Sequence, residues 1–116
     1  MNNFVEAGKT GELENGAMKA FLAQGHEILL ARIGDNYYAT DNRCPHMKGK
    51  LSEGKLEGTV VTCPRHGSQF DLKDGHVVRW LKGAGLLSKI GKTLKSPQPL
   101  TTYNVKVTDE RIQVEI

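Results

Sequence analysis

Cysteine is scarce in this chain, with two among 116 residues. That allows at most one internal disulfide and excludes a mini-protein built on a disulfide framework. Long apolar runs are missing as well. The longest aliphatic stretch, Ile28 to Ala31, is four residues, against the roughly 20 that a bilayer-spanning helix needs. The first residues, Met-Asn-Asn-Phe-Val-Glu, show no basic stretch followed by an apolar core, so no export signal is expected. Charge of one sign does not dominate: 16 Lys and Arg face 13 Asp and Glu, and the net charge of +3 is too small to imply nucleic acid by itself. No internal repeat or low-complexity tract occurs. What remains, 38% hydrophobic and 25% charged residues, describes a soluble globular chain. The expectation is one domain over residues 1–116, in the cytoplasm, with two cysteines that need another explanation.

Short alternating or β-branched runs closed by Gly, Asp or Asn dominate the pattern. Residues Lys19 to Ala23 and Glu27 to Ile33 flank Gln24-Gly25-His26 as a hairpin. Gly34-Asp35-Asn36 turns the chain into Tyr37 to Thr40. Val60 to Thr62, Gln69 to Leu72 and His76 to Arg79 follow, the last two joined through Asp74-Gly75. Thr102 to Val107 and Ile112 to Ile116 close the chain around Asp109-Glu110. Such spacing predicts an all-β fold, an antiparallel sandwich or barrel. Two segments do not fit it: Asn42 to Gly58 and Leu81 to Pro99.

The chemistry concentrates in Cys44-Pro45-His46 and, after 16 residues, Cys63-Pro64-Arg65-His66-Gly67. Two thiolates and two imidazoles arranged as C-x-H and C-x-x-H offer four metal-binding atoms from two loops. The prolines stiffen those loops. Gly49, Gly54 and Gly67 allow close backbone approach. A Cys₂His₂ set suits one tetrahedral zinc. Zinc sites, however, usually draw both cysteines from one turn and both histidines from a helix. Here each loop supplies one of each, which suits a centre of two metals, one held by the cysteines and the other by the histidines.

These motifs resemble the Rieske family, whose [2Fe–2S] cluster uses this division of ligands. The likeness runs from the strand at Val5 through Glu27-Ile28-Leu29-Leu30 and Asp41-Asn42-Arg43-Cys44-Pro45-His46. It continues through Leu51-Ser52-Glu53-Gly54 and Cys63-Pro64-Arg65-His66-Gly67-Ser68-Gln69-Phe70-Asp71 to the final two strands. The resemblance implies a Rieske-type sandwich with a small cluster-binding subdomain, its loops within about residues 42–70, and a short helical insert over about 80–97. It implies that Cys44 and Cys63 bind one iron of the cluster and His46 and His66 the other. Members in cytochrome bc complexes carry a membrane anchor and a further cysteine in each loop, joined as a disulfide. Gly49 and Arg65 stand at those positions here. Phe70 stands where that branch places a tyrosine hydroxyl near a ligand, while Ser68 keeps one hydroxyl. Fewer hydrogen bonds to sulfur imply a potential toward the low end of the roughly −150 to +300 mV Rieske range.

Oxygenase subunits of the family append a catalytic domain with a second iron, for which this length leaves no room. The remaining histidines, His26 and His76, flank turns and are expected on the surface. No catalytic residue is assigned. The implied function is a soluble one-electron carrier between a reductase and a terminal oxidoreductase such as an oxygenase. The alternatives are a Rieske-like small subunit of a nitrite-reductase type enzyme and a zinc-binding interaction module.

Charge is segregated along the chain. Residues 1–42 are net −3, residues 43–66 net +3, residues 79–108 net +6 without a single acid, and residues 109–116 net −2. Basic residues Arg43, Lys48, Lys50, Lys55 and Arg65 around the metal motifs suggest docking onto an acidic redox partner, against an ordinary solvated face. Within the insert, Leu86, Leu87, Ile90 and Leu94 share one helical arc opposite Lys89, Lys92 and Lys95, though Gly83, Gly85 and Gly91 weaken that helix. It is expected to cap the chain's own barrel, with partner docking or a membrane-surface helix as alternatives. Ser96-Pro97-Gln98-Pro99 resembles the family's proline-containing loop over the cluster.

Overall fold

The structure, a computed structural model, describes residues 4–45, 49–65, 67–79 and 98–116. The described residues form eleven strands, numbered in chain order: β1 (Phe4–Lys9), β2 (Met18–Ala23), β3 (His26–Ile33), β4 (Asn36–Asp41), β5 (Lys55–Glu57), β6 (Val60–Thr62), β7 (Gln69–Asp71), β8 (Val77–Arg79), β9 (Thr102–Tyr103), β10 (Val105–Thr108) and β11 (Arg111–Glu115). A one-turn 3₁₀ helix, Leu51–Glu53, precedes β5. All pairings are antiparallel, and three sheets result, in the orders β1-β11-β10, β2-β3-β4-β9 and β5-β6-β7-β8. The expected all-β antiparallel architecture is what forms.

Strand β3 explains the layering. Its residues Ile28, Leu29, Leu30 and Ala31 are all completely buried, so the strand is covered on both faces and reads as an unbroken apolar run rather than an alternating one. Successive side chains point to opposite faces. Ile28 and Leu30 pack with Ala7, Ala39, Ile112 and Val114, towards the β1-β11-β10 sheet. Leu29 and Ala31 pack with Cys44, Leu51, Val61, Cys63, Phe70, Leu72 and Leu100. The second group joins the body to the small β5–β8 sheet, and both cysteines belong to it. Each fully buried aliphatic side chain in these layers contributes about 1.5–3 kcal/mol.

Two expectations are corrected. The stretch Thr102 to Val107 is not one strand: Tyr103 pairs with Ala39 in one sheet and Val105 with Val114 in another. The change of sheet falls at Asn104, whose Nδ2 donates to Glu115 Oε1 at 2.8 Å and whose carbonyl accepts the Glu115 N–H at 2.9 Å. The stretch Asn42 to Gly58 holds a strand after all, β5, whose flanking Lys55 and Glu57 are exposed while Leu56 turns inward. A two-residue turn at Asp109-Glu110 joins β10 and β11 with both φ angles positive, 51° and 65°, the geometry of a type I′ hairpin.

The small sheet is tied back to the body beyond the insert. Leu100 N–H donates to the Gly75 carbonyl at 2.8 Å. Gly75 has φ of 81°, and a Cβ there would collide with the Leu100 carbonyl oxygen. Only glycine satisfies both conditions. The helix expected over residues 80–97, together with Trp80, Ser96 and Pro97, lies outside the described residues. Among the described residues, no helix is long and apolar enough to cross a membrane.

Candidate metal centre

The first loop leaves β4 at Asp41, and its two sides converge as a narrow neck. Asn42 carbonyl accepts the Leu51 N–H at 2.8 Å, and Asn42 Oδ1 accepts the Ser52 N–H at 2.9 Å. Arg43 and Lys50 form an isolated antiparallel bridge. Cys44 N–H donates to the Gly49 carbonyl at 2.9 Å. Cys44 and Gly49 are thereby held side by side at the end of this neck. The second loop leaves β6 and is closed in the same manner. Cys63 N–H donates to the Ser68 carbonyl at 2.8 Å, and Gly67 N–H donates to the Cys63 carbonyl at 3.1 Å. Arg79 Nε reaches back from β8 to the Gly67 carbonyl at 3.1 Å.

Cys44 and Cys63 are 1% and 2% exposed, share one apolar cluster, and are not joined in a disulfide. Gly49 lies between them: its carbonyl accepts the Cys44 N–H, while a Cβ on it would stand 2.9 Å from Cys63 Sγ. The loops thus bring both thiols to one place through a passage a methyl group would fill. Gly49 also faces Arg65, whose Cγ would lie 2.9 Å from that Cβ. Those are the positions where the sequence lacks the additional cysteine pair. Phe70 and Ser68 are completely buried, Phe70 in the same cluster as the cysteines. His46, His66 and Lys48 lie outside the described residues. His26 and His76 are exposed, as expected from their turns. His26 sits edge-on to the Tyr103 ring, and His76 Nδ1 is 2.6 Å from Asp74 Oδ1.

The donor chemistry fits a Rieske cluster on the cysteine side. Two thiols converge from separate loops in a water-poor pocket, and the glycine between them leaves room where a side chain would intrude. In the two loops and the segment that joins them, Arg43, Lys50, Lys55 and Arg65 are exposed, as are Glu53 and Glu57.

Sequence reasoning passed over three positions that build the neck. Asn42 is completely buried; Glu27 receives its Nδ2 at 2.7 Å; Arg79 braces the second loop. The tight turn Gly34-Asp35 held a usable signal. It sets Ile33 opposite Asn36, and counting back along the hairpin places Glu27 opposite Asn42. The Asn42 hydrogen bond foremost holds the Glu27 carboxyl below its ordinary value, against an opposing effect of burial and with a weaker contribution from the Arg43 charge. At the other end of Asp41, Tyr103 Oη donates to Asp41 Oδ1 at 2.5 Å. Burial first, and that carboxylate second, push the tyrosine hydroxyl well above its usual range.

A family model described as the Rieske [2Fe–2S] domain matches residues 3–90. The ferredoxin component of the naphthalene 1,2-dioxygenase/salicylate 5-hydroxylase systems of a Ralstonia species is 29% identical over 114 residues, covering 98% of this chain and 96% of that protein. Among solved structures, the ferredoxin of carbazole 1,9a-dioxygenase from Nocardioides aromaticivorans IC177 superposes with a TM-score of 0.80 at 26% identity, covering 97% and 96% of the two chains. A chain from the complex of reduced oxygenase and oxidized ferredoxin in carbazole 1,9a-dioxygenase gives 0.77 at 26% identity, covering 96% of this chain and 91% of that one.

Proposed function

This chain belongs to the Rieske [2Fe–2S] domain family, and on that premise we propose that it is a cytoplasmic ferredoxin that moves single electrons from a reductase to a terminal oxygenase. Residues 1–116 form one domain in this reading, with the cluster loops within about 42–70. Cys44 and Cys63 hold one iron of the cluster, and His46 and His66 hold the other. The observation that carries the reading is the convergence of two buried thiols around Gly49, in a chain that matches dioxygenase ferredoxins over nearly its whole length. The same full-length likeness favours a carrier over a permanent small subunit.

When bound, the cluster supplies reversible one-electron chemistry. The protein's part is to present and tune it. Leu51, Val61 and Phe70 exclude water from the thiols, and the low dielectric there strengthens every nearby charge interaction. The closed necks fix the cysteine backbones, so little reorganisation accompanies a change of charge. Arg43, Lys50 and Arg65 belong to the two loops that carry the cysteines and Lys55 to the strand between them, and these exposed charges would steer the protein towards an acidic surface on a redox partner. No bond is made or broken by this chain; the oxygenase performs the substrate chemistry.

The test is electron transfer in a reconstituted mixture of holoprotein, reductase and oxygenase from a dioxygenase system of this kind. Oxygenase turnover that depends on this chain, and is abolished in Cys63→Ala, is the expected result. Turnover equal with and without the chain contradicts the proposal.

A further inference from the structure

The network at the base of the first loop reaches one residue of the body that the electron-carrier reading does not use. Alternation along β3 puts Glu27 on the same face as Leu29 and Ala31, the face that packs on both cysteines. Asn42 N–H donates to the Glu27 carbonyl at 3.0 Å, extending the β3–β4 ladder one step beyond the Ile28–Asp41 pair. The Glu27 carboxylate then divides its oxygens. Oε2 accepts Asn42 Nδ2 at 2.7 Å, and Oε1 accepts Arg43 Nε at 3.2 Å, with Nη2 also at 3.2 Å. Asn42 and Arg43 are the two residues that lead into Cys44.

An isolated ion pair at a partly exposed site stabilises little, and Glu27–Arg43 alone would be unremarkable. The buried asparagine changes its meaning. Asn42 is 0% exposed and is bonded on both sides, to Glu27 through Nδ2 and to Ser52 through Oδ1. An asparagine amide has distinct donor and acceptor ends, so a carboxylate on the Nδ2 side fixes which way it faces. The orientation that satisfies Glu27 is the one that presents Oδ1 to the Ser52 N–H. Glu27 therefore acts on both sides of the neck through one side chain.

We propose that Glu27 is a positioning residue for the first cluster loop: it orients Asn42 and Arg43 and thereby sets the placement of Cys44. The proposal rests on the reading that Cys44 is a cluster ligand. Outer groups that orient metal ligands typically matter by 10–100-fold in metal affinity or activity. Glu27 acts one residue further out, so an effect of about 10-fold is expected.

The experiment measures loss of the visible absorbance of the oxidised holoprotein in excess iron chelator, with visible circular dichroism of the cluster beforehand. Glu27→Ala should release its cluster about 10-fold faster than the unsubstituted protein and show altered dichroism. Glu27→Gln keeps an oxygen acceptor for Asn42 and should recover most of the original rate. Glu6→Ala removes an equal charge from an exposed carboxylate paired with Arg111, far along the sequence from the loop, and should leave the rate unchanged. Original rate and dichroism in Glu27→Ala overturn the proposal. So does release from Glu27→Gln as fast as from Glu27→Ala, or equal acceleration in Glu6→Ala. If the unsubstituted protein binds no iron or sulfide, the cluster reading is what fails. The clamp is then judged on amide exchange at Ser52 and Cys44, which Glu27→Ala should accelerate and which, if unchanged, refutes it.

Discussion

Gly49 and Cys63 approach across two separate loops so closely that a Cβ on the glycine would stand 2.9 Å from the thiol sulfur, and at the same distance from Cγ of Arg65. Neither neighbour is the loose end of a side chain. Cys63 is buried, and the crowded part of Arg65 is its stem. Gly49→Ala should therefore force the loops apart, with the roughly 1–3 kcal/mol cost of overpacking. It should also lower the iron and labile sulfide retained per chain. Metal analysis and urea unfolding of the purified variant check both; full iron content with unchanged stability would show that the passage is roomier than described.

Phe70 lies fully buried in the cluster of side chains that contains both cysteines and contributes no hydroxyl there. Hydrogen bonds to cluster or ligand sulfur stabilise the added electron. The midpoint potential is accordingly expected in the lower part of the roughly −150 to +300 mV Rieske range, and Phe70→Tyr should raise it. Potentiometric titration decides. A value above about +150 mV in the unsubstituted protein, or no rise in the variant, contradicts this account.

Glu27 provides a pH signature. Its carboxyl is held below the ordinary value of 4.5, chiefly by the Asn42 hydrogen bond. A group with a depressed folded-state value stabilises the fold above its unfolded value and loses that contribution as pH falls through the folded one. The stability difference between the unsubstituted protein and Glu27→Gln should thus be constant above about pH 5.5 and shrink as pH drops below about 4. Urea unfolding across that range tests it. A difference that grows on acidification would reverse the sign and remove the argument.

The exposed Lys50 and Lys55 stand beside the loops in a segment of net positive charge. Charge-reversed Lys50→Glu/Lys55→Glu should slow reduction of the terminal oxygenase and weaken its salt dependence, since steering of exposed charges is screened over about 8–10 Å. Stopped-flow rates at several ionic strengths measure this. Rates of the unsubstituted protein that rise or stay level with added salt would exclude an acidic docking surface.

How far the sequence led differs by the range of the interactions involved. That Cys44 and Cys63 belong together was legible because the C-x-H and C-x-x-H motifs are local and chemically specific, and the structure does bury both in one cluster. The hairpins at Gln24-Gly25 and Asp109-Glu110 were legible through turn residues. Ile28 to Ala31 was recognised as strand, but its burial between two layers depends on partners far away in sequence. The break at Asn104 was hidden because Thr102, Tyr103, Val105 and Val107 all favour extended backbone, and nothing local marks a change of sheet. Strand β5 escaped notice because two of its three residues are charged. The Glu27–Asn42 pair required the register of β3 against β4, which a two-residue turn encodes only when the hairpin is counted through.

The central claim is that two thiols and two imidazoles of this chain hold one iron–sulfur cluster. It is tested most directly by iron, zinc and acid-labile sulfide analysis of the natively purified protein, joined to electron paramagnetic resonance of the dithionite-reduced sample. The account predicts a coloured protein with about two iron and two sulfide per chain, a reduced-state signal of Rieske type, and loss of both colour and signal in Cys44→Ala. A colourless protein holding one zinc per chain, without sulfide and without a reduced-state signal, would contradict it.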